Sequence, residues 1–429
     1  MRRALLIACL MMLCAAPSTN AQTAQSAASF TAGVGVNTHL GYSETVYWKQ
    51  WPMVRDRLRE LGVSHIRDGT FPAEYPDVIG PTVAARYREL GLGLNLLVGH
   101  EQAMVGRTTL QQRLDWIKAN GLTEQTIGIE GSNEYDADIT MDWTDDAAKI
   151  ESLRAMQCDI WNRVKGDPAL ASKMVVGPSG GLPFYEDRWH FHIAYNRGDL
   201  THCLDRGNLH PYPGAKPPHL HQGRDLDYAK IWGSHVYGDK PDWITENGYW
   251  NQGENNAISE WAGGVYVPRM MMEMFRRGFE RTQLYELVDL NTGAAGMIHN
   301  GGLIRSDGTR KPAFTVLANT MAVLKDNAPA SGSLDYTVTC RSNCHSPIRR
   351  VLLRHSSGAY FIALWSETDV AGGATAAQNV DVTLAQRAAR MDVISPASGT
   401  APLKSQTNAL KINTHVTDYV RLIKVTGAP

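Results

Sequence analysis

Between residues 33 and 326 the sequence alternates short apolar runs with amphipathic stretches of helical period, and this order constrains the fold more than any other feature. The apolar runs are Val34 to His39, Val63 to Asp68, Leu92 to Gly99, Ile127 to Asn133, Met174 to Ser179, Asn208 to Tyr212, Asp242 to Glu246 and Gln283 to Asp289. Eight strands separated by helices over roughly 290 residues predict an α/β fold, a (β/α)8 TIM barrel. A doubly wound sheet is the competing architecture, but no glycine-rich phosphate turn follows the first run.

The pattern of apolar and polar residues changes after residue 328. Short strand-like runs now alternate with Gly, Ser, Pro and Asn, and they have no helical period. About 100 residues of this pattern are typical of a small β-sandwich. We therefore expect a barrel over residues 22–328 and a C-terminal β-sandwich domain over residues 329–429.

Residues 1–21 have the pattern of a secretory signal peptide. Arg2 and Arg3 precede an apolar stretch from Ala4 to Ala16, and a cleavage site follows at Thr19-Asn20-Ala21. That stretch of about 13 residues is shorter than the roughly 20 that a membrane-spanning helix needs. We therefore expect a secreted or periplasmic protein without a membrane span.

Composition excludes two further classes of protein. The chain is 43% apolar and its formal net charge is −1, whereas disorder requires low hydrophobicity with high net charge. It also has no excess of basic residues to neutralise phosphates, so we expect no nucleic-acid partner.

Four cysteines follow the signal segment. They are Cys158, Cys203, Cys340 and Cys344. Export favours disulfides over a zinc site, and the short separation makes Cys340 with Cys344 the favoured pair. Cys158 and Cys203 form either a second pair or two buried thiols.

Two glutamates stand where apolar runs meet polar loops. The fourth run leads into Asn133-Glu134, and the seventh ends in Ile244-Thr245-Glu246-Asn247-Gly248. Active sites of barrels lie at the carboxyl ends of the strands, and the fourth and seventh strands lie across the mouth from each other. Cleavage of a glycosidic bond needs two such facing carboxyl groups, one protonated and one ionised. The alternative is that both are solvated loop residues.

These motifs resemble those of the clan A glycoside hydrolases, retaining barrel enzymes with the acid/base after strand four and the nucleophile after strand seven. Asn133-Glu134 is similar to the Asn-Glu motif of the clan, with Tyr135 in place of the usual proline. Residues 244–248 are similar to the nucleophile motif and read like that of the family 1 β-glucosidases.

Two other segments are similar to the clan as well. His210-Pro211-Tyr212, after the sixth strand, resembles the His-x-Tyr motif in which the tyrosine donates a hydrogen bond to the nucleophile. Residues 302–314 resemble the turn before the last barrel helix in families with an appended sandwich, such as 39 and 30.

The resemblance implies an exported glycosidase that cleaves β-linked poly- or oligosaccharides by double displacement, without cofactor or metal. Glu134 is the implied acid/base and Glu246 the implied nucleophile. Asn133 is expected to contact the sugar 2-hydroxyl. We also expect Glu134 to be held protonated by partial burial and by the charge of Glu246.

Four further residues are predicted to line the substrate site. They are Arg67, His210, Tyr212 and Trp250. Arg67 ends the second strand and either stabilises Glu246 or bridges to Glu130, which we expect one layer deeper as supporting structure. Trp250 follows the nucleophile closely and is expected to stack on a sugar face.

Two alternatives to hydrolysis are open at this point. A carbohydrate-binding barrel without activity would have no need of the glutamate pair. A transglycosylase would use the same glycosyl-enzyme intermediate and differ only in the acceptor. The sugar, the linkage, endo or exo action and the oligomeric state do not follow from the sequence.

Overall fold

A computed structural model describes residues 21–72, 78–99, 108–134, 143–180, 200–221, 223–252, 256–290 and 300–428. All but the last residue of the predicted signal segment lie outside these ranges.

Eight parallel strands form one sheet. They are Val34–Asn37, His65–Gly69, Gly93–Leu97, Thr126–Glu130, Met174–Val176, Gly207–Leu209, Asp242–Asn247 and Arg281–Leu284, called the first to eighth barrel strands below. The eighth pairs with the first, and a parallel bridge from Val176 to Arg206 joins the fifth to the sixth, so the sheet closes on itself. The predicted (β/α)8 barrel is confirmed, and each of the eight predicted runs overlaps a strand.

Helices follow most of the barrel strands. The described ones are Ala27–Gly33, Val46–Lys49, Trp51–Leu61, Ile79–Leu90, Leu110–Ala119, Trp143–Gly166, Leu226–Tyr237, Glu260–Arg276 and Pro312–Leu324, with a 3-10 turn at Thr201–Cys203. Local sequence sets their ends: a capping box of Thr109 and Gln112 opens one helix, and Gly62, with a φ of 73°, closes another. Within the described residues, no helix has the length and apolar character needed to cross a bilayer.

The C-terminal region is an antiparallel sheet folded over itself. Its strands are Ser333–Ser342, Ile348–Arg354, Tyr360–Ser366, Gln378–Ile394, Pro402–Val416 and Arg421–Thr426. The long strand Gln378–Ile394 pairs through its first half with Ser333–Ser342 and through its second half with Arg421–Thr426. Side chains from both halves, among them Val382 and Met391, share one buried core, which confirms the β-sandwich.

The first described residues belong to the same sheet as the sandwich. Ala21–Thr23 pairs with Ser333–Ser342, and Gln25–Ser26 pairs with Ile348–Arg354. The N-terminal segment therefore crosses to the sandwich before the chain enters the barrel at Val34. A short two-stranded ribbon, Leu220–His221 with Arg224–Asp225, follows the sixth barrel strand.

Two disulfides are present. The favoured pair Cys340–Cys344 is confirmed, and Cys158 is bonded to Cys203, which joins the helix Trp143–Gly166 to the turn Thr201–Cys203. All four sulfurs are thus used in these bonds, and a zinc site built on them is excluded.

Candidate active site

Side chains from the fourth, sixth and seventh barrel strands and the residues that follow them meet at one mouth of the barrel. Glu246 lies within the seventh strand, Glu134 lies four residues after the fourth, and His210 and Tyr212 directly follow the sixth. A carboxylate oxygen of Glu134, one of Glu246 and a ring nitrogen of His210 all lie within 4.8 Å of one another. The structure therefore brings the two predicted glutamates together at one end of the barrel.

The two carboxylate oxygens of Glu246 have separate partners. Oε1 lies 2.6 Å from Nη1 of Arg67, and Oε2 accepts a hydrogen bond of 2.8 Å from the hydroxyl of Tyr212. Glu246 is only 6% exposed. A buried carboxylate with a cation on one oxygen and a hydroxyl donor on the other is stabilised in its ionised form.

The sequence left open whether Arg67 stabilises Glu246 or bridges to Glu130. In the structure Arg67 does both, because it binds both carboxylates. Its Nε and Nη2 donate to Glu130 at 2.9 and 2.7 Å, and Nη1 also donates to Asn37 at 3.0 Å. Burial by itself lowers the pKa of Arg67, but Glu130 and Glu246 raise it above its usual value. The guanidinium is therefore a fixed positive charge under the site.

Glu130 forms the layer beneath the nucleophile, as expected. It is fully buried, and besides Arg67 it accepts hydrogen bonds from Asn95 at 2.7 Å, Asn208 at 3.1 Å and Thr245 at 3.0 Å. Its oxygens are thus occupied by protein donors from several strands. Glu130 orients Arg67 and has no free oxygen face for a substrate.

Glu134 is paired with His210. Oε1 of Glu134 lies 2.9 Å from Nδ1 of His210, and Nε2 of the same ring lies 2.9 Å from Oγ1 of Thr245. The Thr245 hydroxyl donates to Glu130 or Asn208, so it accepts from His210, which puts a proton on Nε2. One further proton then occupies the hydrogen bond between Nδ1 and Glu134.

The pKa of His210 is raised and that of Glu134 is lowered, which is opposite to the expectation that the Glu134 carboxyl is held protonated. Burial lowers the pKa of His210, but Glu246 and Glu134 raise it above its usual value. Burial raises the pKa of Glu134, but the His210 hydrogen bond and charge, together with Arg67, lower it overall. The imidazole, which the sequence could not place beside the acid, is the reason for the difference.

The backbone at Glu134 adopts an unusual conformation. Its φ is 40°, in the left-handed region that non-glycine residues rarely occupy. The backbone N–H donates to Oγ of Ser179 at 3.1 Å, and Oδ1 of the preceding Asn133 accepts from Nη2 of Arg67 at 2.5 Å. Local strain of this kind is concentrated at functional sites and is maintained by surrounding contacts.

Trp250 lies beside the site but is not an open platform. It is 7% exposed, and its ring centroid is 6.4 Å from that of Tyr212. So little exposure leaves no free ring face for a sugar, which corrects the expected stacking role. The indole N–H is buried and has no hydrogen-bond partner among the described residues.

Sequence reasoning missed a group of residues at the ends of the first and eighth strands. His39 lies 3.3 Å from Oε2 of the fully buried Glu286, and its ring centroid is 5.6 Å from that of Tyr285. Burial lowers the pKa of His39 to about 4, Glu246 opposes this and Arg67 adds to it. His39 and Glu286 fall within the apolar runs that predicted the first and eighth strands, so inspecting the ends of those two runs would have found them.

Some described residues have side-chain atoms close enough together to hold a metal ion. Two groups have suitable spacing: Glu134 with His210 and Glu246, and Cys158 with His202 and Cys203. The two sulfurs of the second group are bonded to each other. In the first group, the facing atoms of Glu134 and His210 already share a hydrogen bond, and Glu246 is neutralised by Arg67. The chemistry of this donor set fits proton transfer better than metal binding.

Comparison with known proteins gives structural likeness only. No protein-family model matches the chain, and no curated protein matches it in sequence. The structure is similar to a family 39 glycoside hydrolase from Bacteroides cellulosilyticus WH2, with a TM-score of 0.63 and 14% identity over 93% of this chain and 82% of that one.

Two other solved structures span nearly the whole of both chains. A glucosidase from Croceicoccus marinus has a TM-score of 0.60 and 11% identity, with 95% of this chain and 99% of that one covered. The family 51 α-L-arabinofuranosidase AbfB from Bifidobacterium longum has a TM-score of 0.57 and 14% identity over the same shares. At such identities the likeness shows a shared fold, a barrel with a C-terminal β-domain.

Proposed function

We propose that this chain is an exported retaining glycoside hydrolase of clan A that cleaves β-linked poly- or oligosaccharides, with Glu134 as acid/base and Glu246 as nucleophile. The observation that carries the proposal is the pair of carboxyl groups with oxygens within 4.8 Å and opposite surroundings. Glu246 is stabilised as an anion by Arg67 and Tyr212, whereas Glu134 shares a proton with His210.

The separation of the carboxyl groups supports double displacement. Retaining enzymes place them roughly 5 Å apart, whereas inverting enzymes need about 6.5–9.5 Å to admit a water between them. One carboxylate oxygen of Glu134 and one of Glu246 lie within 4.8 Å of each other, which agrees with the shorter of these two separations. Glu246 itself is therefore the group that attacks the sugar.

The chemistry proceeds in two steps. Glu246 forms a bond to the anomeric carbon as the glycosidic C–O bond breaks, and the proton shared by Glu134 and His210 passes through Glu134 to the leaving oxygen. A water then attacks the anomeric carbon and gives a proton back to Glu134, and the bond to Glu246 breaks. Each carboxyl group returns to its starting state.

Two donors support substrate contacts. Oδ1 of Asn133 already accepts from Arg67, so its amide N–H2 group is left to face a sugar hydroxyl such as the 2-hydroxyl. The buried indole N–H of Trp250 is the second donor. Buried donors that lack protein partners become satisfied when a polyhydroxylated ligand binds.

Other parts of the proposal have support of a different kind. The three neighbours described above are named as a glycoside hydrolase, a glucosidase and an arabinofuranosidase, which agrees with carbohydrate as the substrate class.

The proposed export depends on the signal pattern of residues 1–21. The proposed domain boundary lies between residues 328 and 329. The sequence pattern and the disulfides both agree with a secreted or periplasmic location.

The direct test is turnover by residues 22–429 on a panel of β-linked polysaccharides and aryl glycosides. Wild type is compared with Glu246→Ala and with Glu44→Ala, a matched control at an exposed surface glutamate. We expect cleavage by wild type and Glu44→Ala but not by Glu246→Ala. Equal turnover by all three proteins would overturn the proposal. Equal glycan binding by all three without turnover would instead support a carbohydrate-binding barrel.

A further inference from the structure

The sandwich domain contains a small pocket, distant in sequence from the candidate active site. Its volume is about 210 Å³, and Val393 and Leu403 give it an apolar wall. Leu403 is 57% exposed, so its side chain is accessible at the pocket. The remaining lining is polar and basic, and we call this cavity the sandwich pocket.

Arg421 is the central feature of the sandwich pocket. It is 8% exposed, and its Nε and Nη1 atoms have no hydrogen-bond partner among the described residues. Burial lowers the pKa of Arg421, and no nearby carboxylate offsets that effect. A guanidinium remains charged even so, and a buried charge without a partner is costly unless a ligand neutralises it.

Other basic side chains also line the pocket. Arg341, Lys404 and His415 also line it, and no acidic residue is among the lining residues that the structure describes. Arg341 is partly neutralised by Asp381, which is 2.8 Å from its Nε, and Lys404 donates to Asn413. Arg421 lines the same cavity and forms no ion pair with any carboxylate among the described residues.

We infer that the sandwich pocket binds the anionic group of an acidic sugar, a carboxylate or a sulfate, through Arg421. Guanidinium matches these planar or tetrahedral anions with paired hydrogen bonds, and the wall of Val393 and Leu403 suits the C–H face of a sugar ring. The anion part of the inference rests on the pocket alone. The sugar part rests on the proposed glycosidase function, and it would make the sandwich a binding module for charged glycans.

The test is calorimetric titration of residues 22–429 with glucuronate, glucose 6-sulfate, inorganic sulfate and uncharged glucose. We expect at least one acidic sugar to bind and glucose not to bind. Arg421→Met, which keeps the apolar stem, is expected to weaken that binding by about tenfold or more, because it removes charge-assisted hydrogen bonds. The two acidic sugars distinguish a carboxylate from a sulfate preference.

Two controls separate this inference from other effects. Arg387→Met removes a surface arginine of the same domain that donates to the backbone of Asn408, and it should leave binding unchanged. Glu246→Gln should also keep full binding, so a failure of the catalytic proposal would leave this result intact. The thermal midpoint of Arg421→Met should not fall, since the variant loses an unpaired buried charge.

Three results would overturn the inference. The first is equal binding of acidic sugars by wild type and Arg421→Met. The second is binding of inorganic sulfate without either acidic sugar, which would mean a simple anion site. The third is the absence of binding by all four compounds.

Discussion

Nδ1 of His210 lies 2.9 Å from Oε1 of Glu134, and the two groups share a single proton. The imidazole is fixed from its other side by Thr245, so it cannot turn away from the acid. This pair, and not Glu134 alone, is the proton source of the proposed mechanism.

Replacing His210 is therefore expected to move the pH profile. The pKa of His210 is raised, so the pair keeps its proton to higher pH than Glu134 would alone. His210→Gln removes that group, and the alkaline limb of kcat/KM should move to lower pH. Tyr212→Phe is the control, because it removes a donor to Glu246 and should lower kcat without moving that limb. An alkaline limb that stays in place in His210→Gln would contradict the shared proton.

Glu134→Ala should affect substrates unequally. A poor leaving group needs protonation as the C–O bond breaks, whereas a good one leaves without it. We expect a loss of about 10²–10⁴-fold on poor leaving groups and a much smaller loss in the first step on activated aryl glycosides. The measurement is kcat/KM across aryl glycosides of graded leaving-group acidity. A uniform loss across that series would remove Glu134 from the acid role.

Arg67→Met should destabilise the protein. The variant leaves Glu130 and Glu246 buried without their shared cation, and breaking a buried ion pair costs about 3–5 kcal/mol. Chemical denaturation at neutral pH measures the loss in free energy of unfolding. Arg55→Met, at a solvent-screened pair with Asp56 and Glu89, is the matched control and should change stability far less. Similar losses in both variants would contradict the central position of Arg67.

Glu286 is expected to make the free energy of unfolding depend on pH. Burial, then Asp289 and Glu246, raise the pKa of Glu286 well above its usual 4.5, while Tyr47 and Lys311 oppose this. Above that usual value the unfolded chain releases a proton that the folded chain keeps, so stability from this group falls as pH rises.

Glu286→Gln tests that sign. The amide has the same shape and does not titrate, so the variant should become progressively more stable than wild type as pH rises from about 5 to 8. Thermal unfolding at a series of pH values measures the difference, and Glu44→Gln at an exposed position is the control. A difference that is constant across pH would show that Glu286 is ionised in the folded protein.

Much of the fold could be predicted because its signals are local. The apolar runs at the barrel strands, the short cysteine spacing and the period-free C-terminal texture each depend on neighbouring residues. The joining of Ala21–Thr23 to the sandwich sheet could not be predicted in this way, since a three-residue strand has no periodic signal and its partner lies more than 300 residues away.

The sequence predicted the two carboxylates, the hydrogen bond from Tyr212 to Glu246 and the position of Arg67 beside Glu246 and Glu130, but not the protonation of the pair Glu134–His210 or the burial of Trp250. Glu134 and Glu246 follow from strand ends and from the motif resemblance. The proton position on His210 depends on a bond to Thr245 from another strand, and the burial of Trp250 depends on packing against Tyr212. Such contacts form only when the barrel closes, so they cannot be predicted from the spacing of residues along the sequence.

The most direct test of the central claim uses Glu246→Ala with azide, on an activated β-aryl glycoside that wild type cleaves. Removal of the nucleophile leaves space for a small anion beside Arg67 and Tyr212. We predict that turnover is abolished, that azide restores part of it, and that the product is a glycosyl azide of inverted configuration. Full activity of Glu246→Ala without azide would contradict the account.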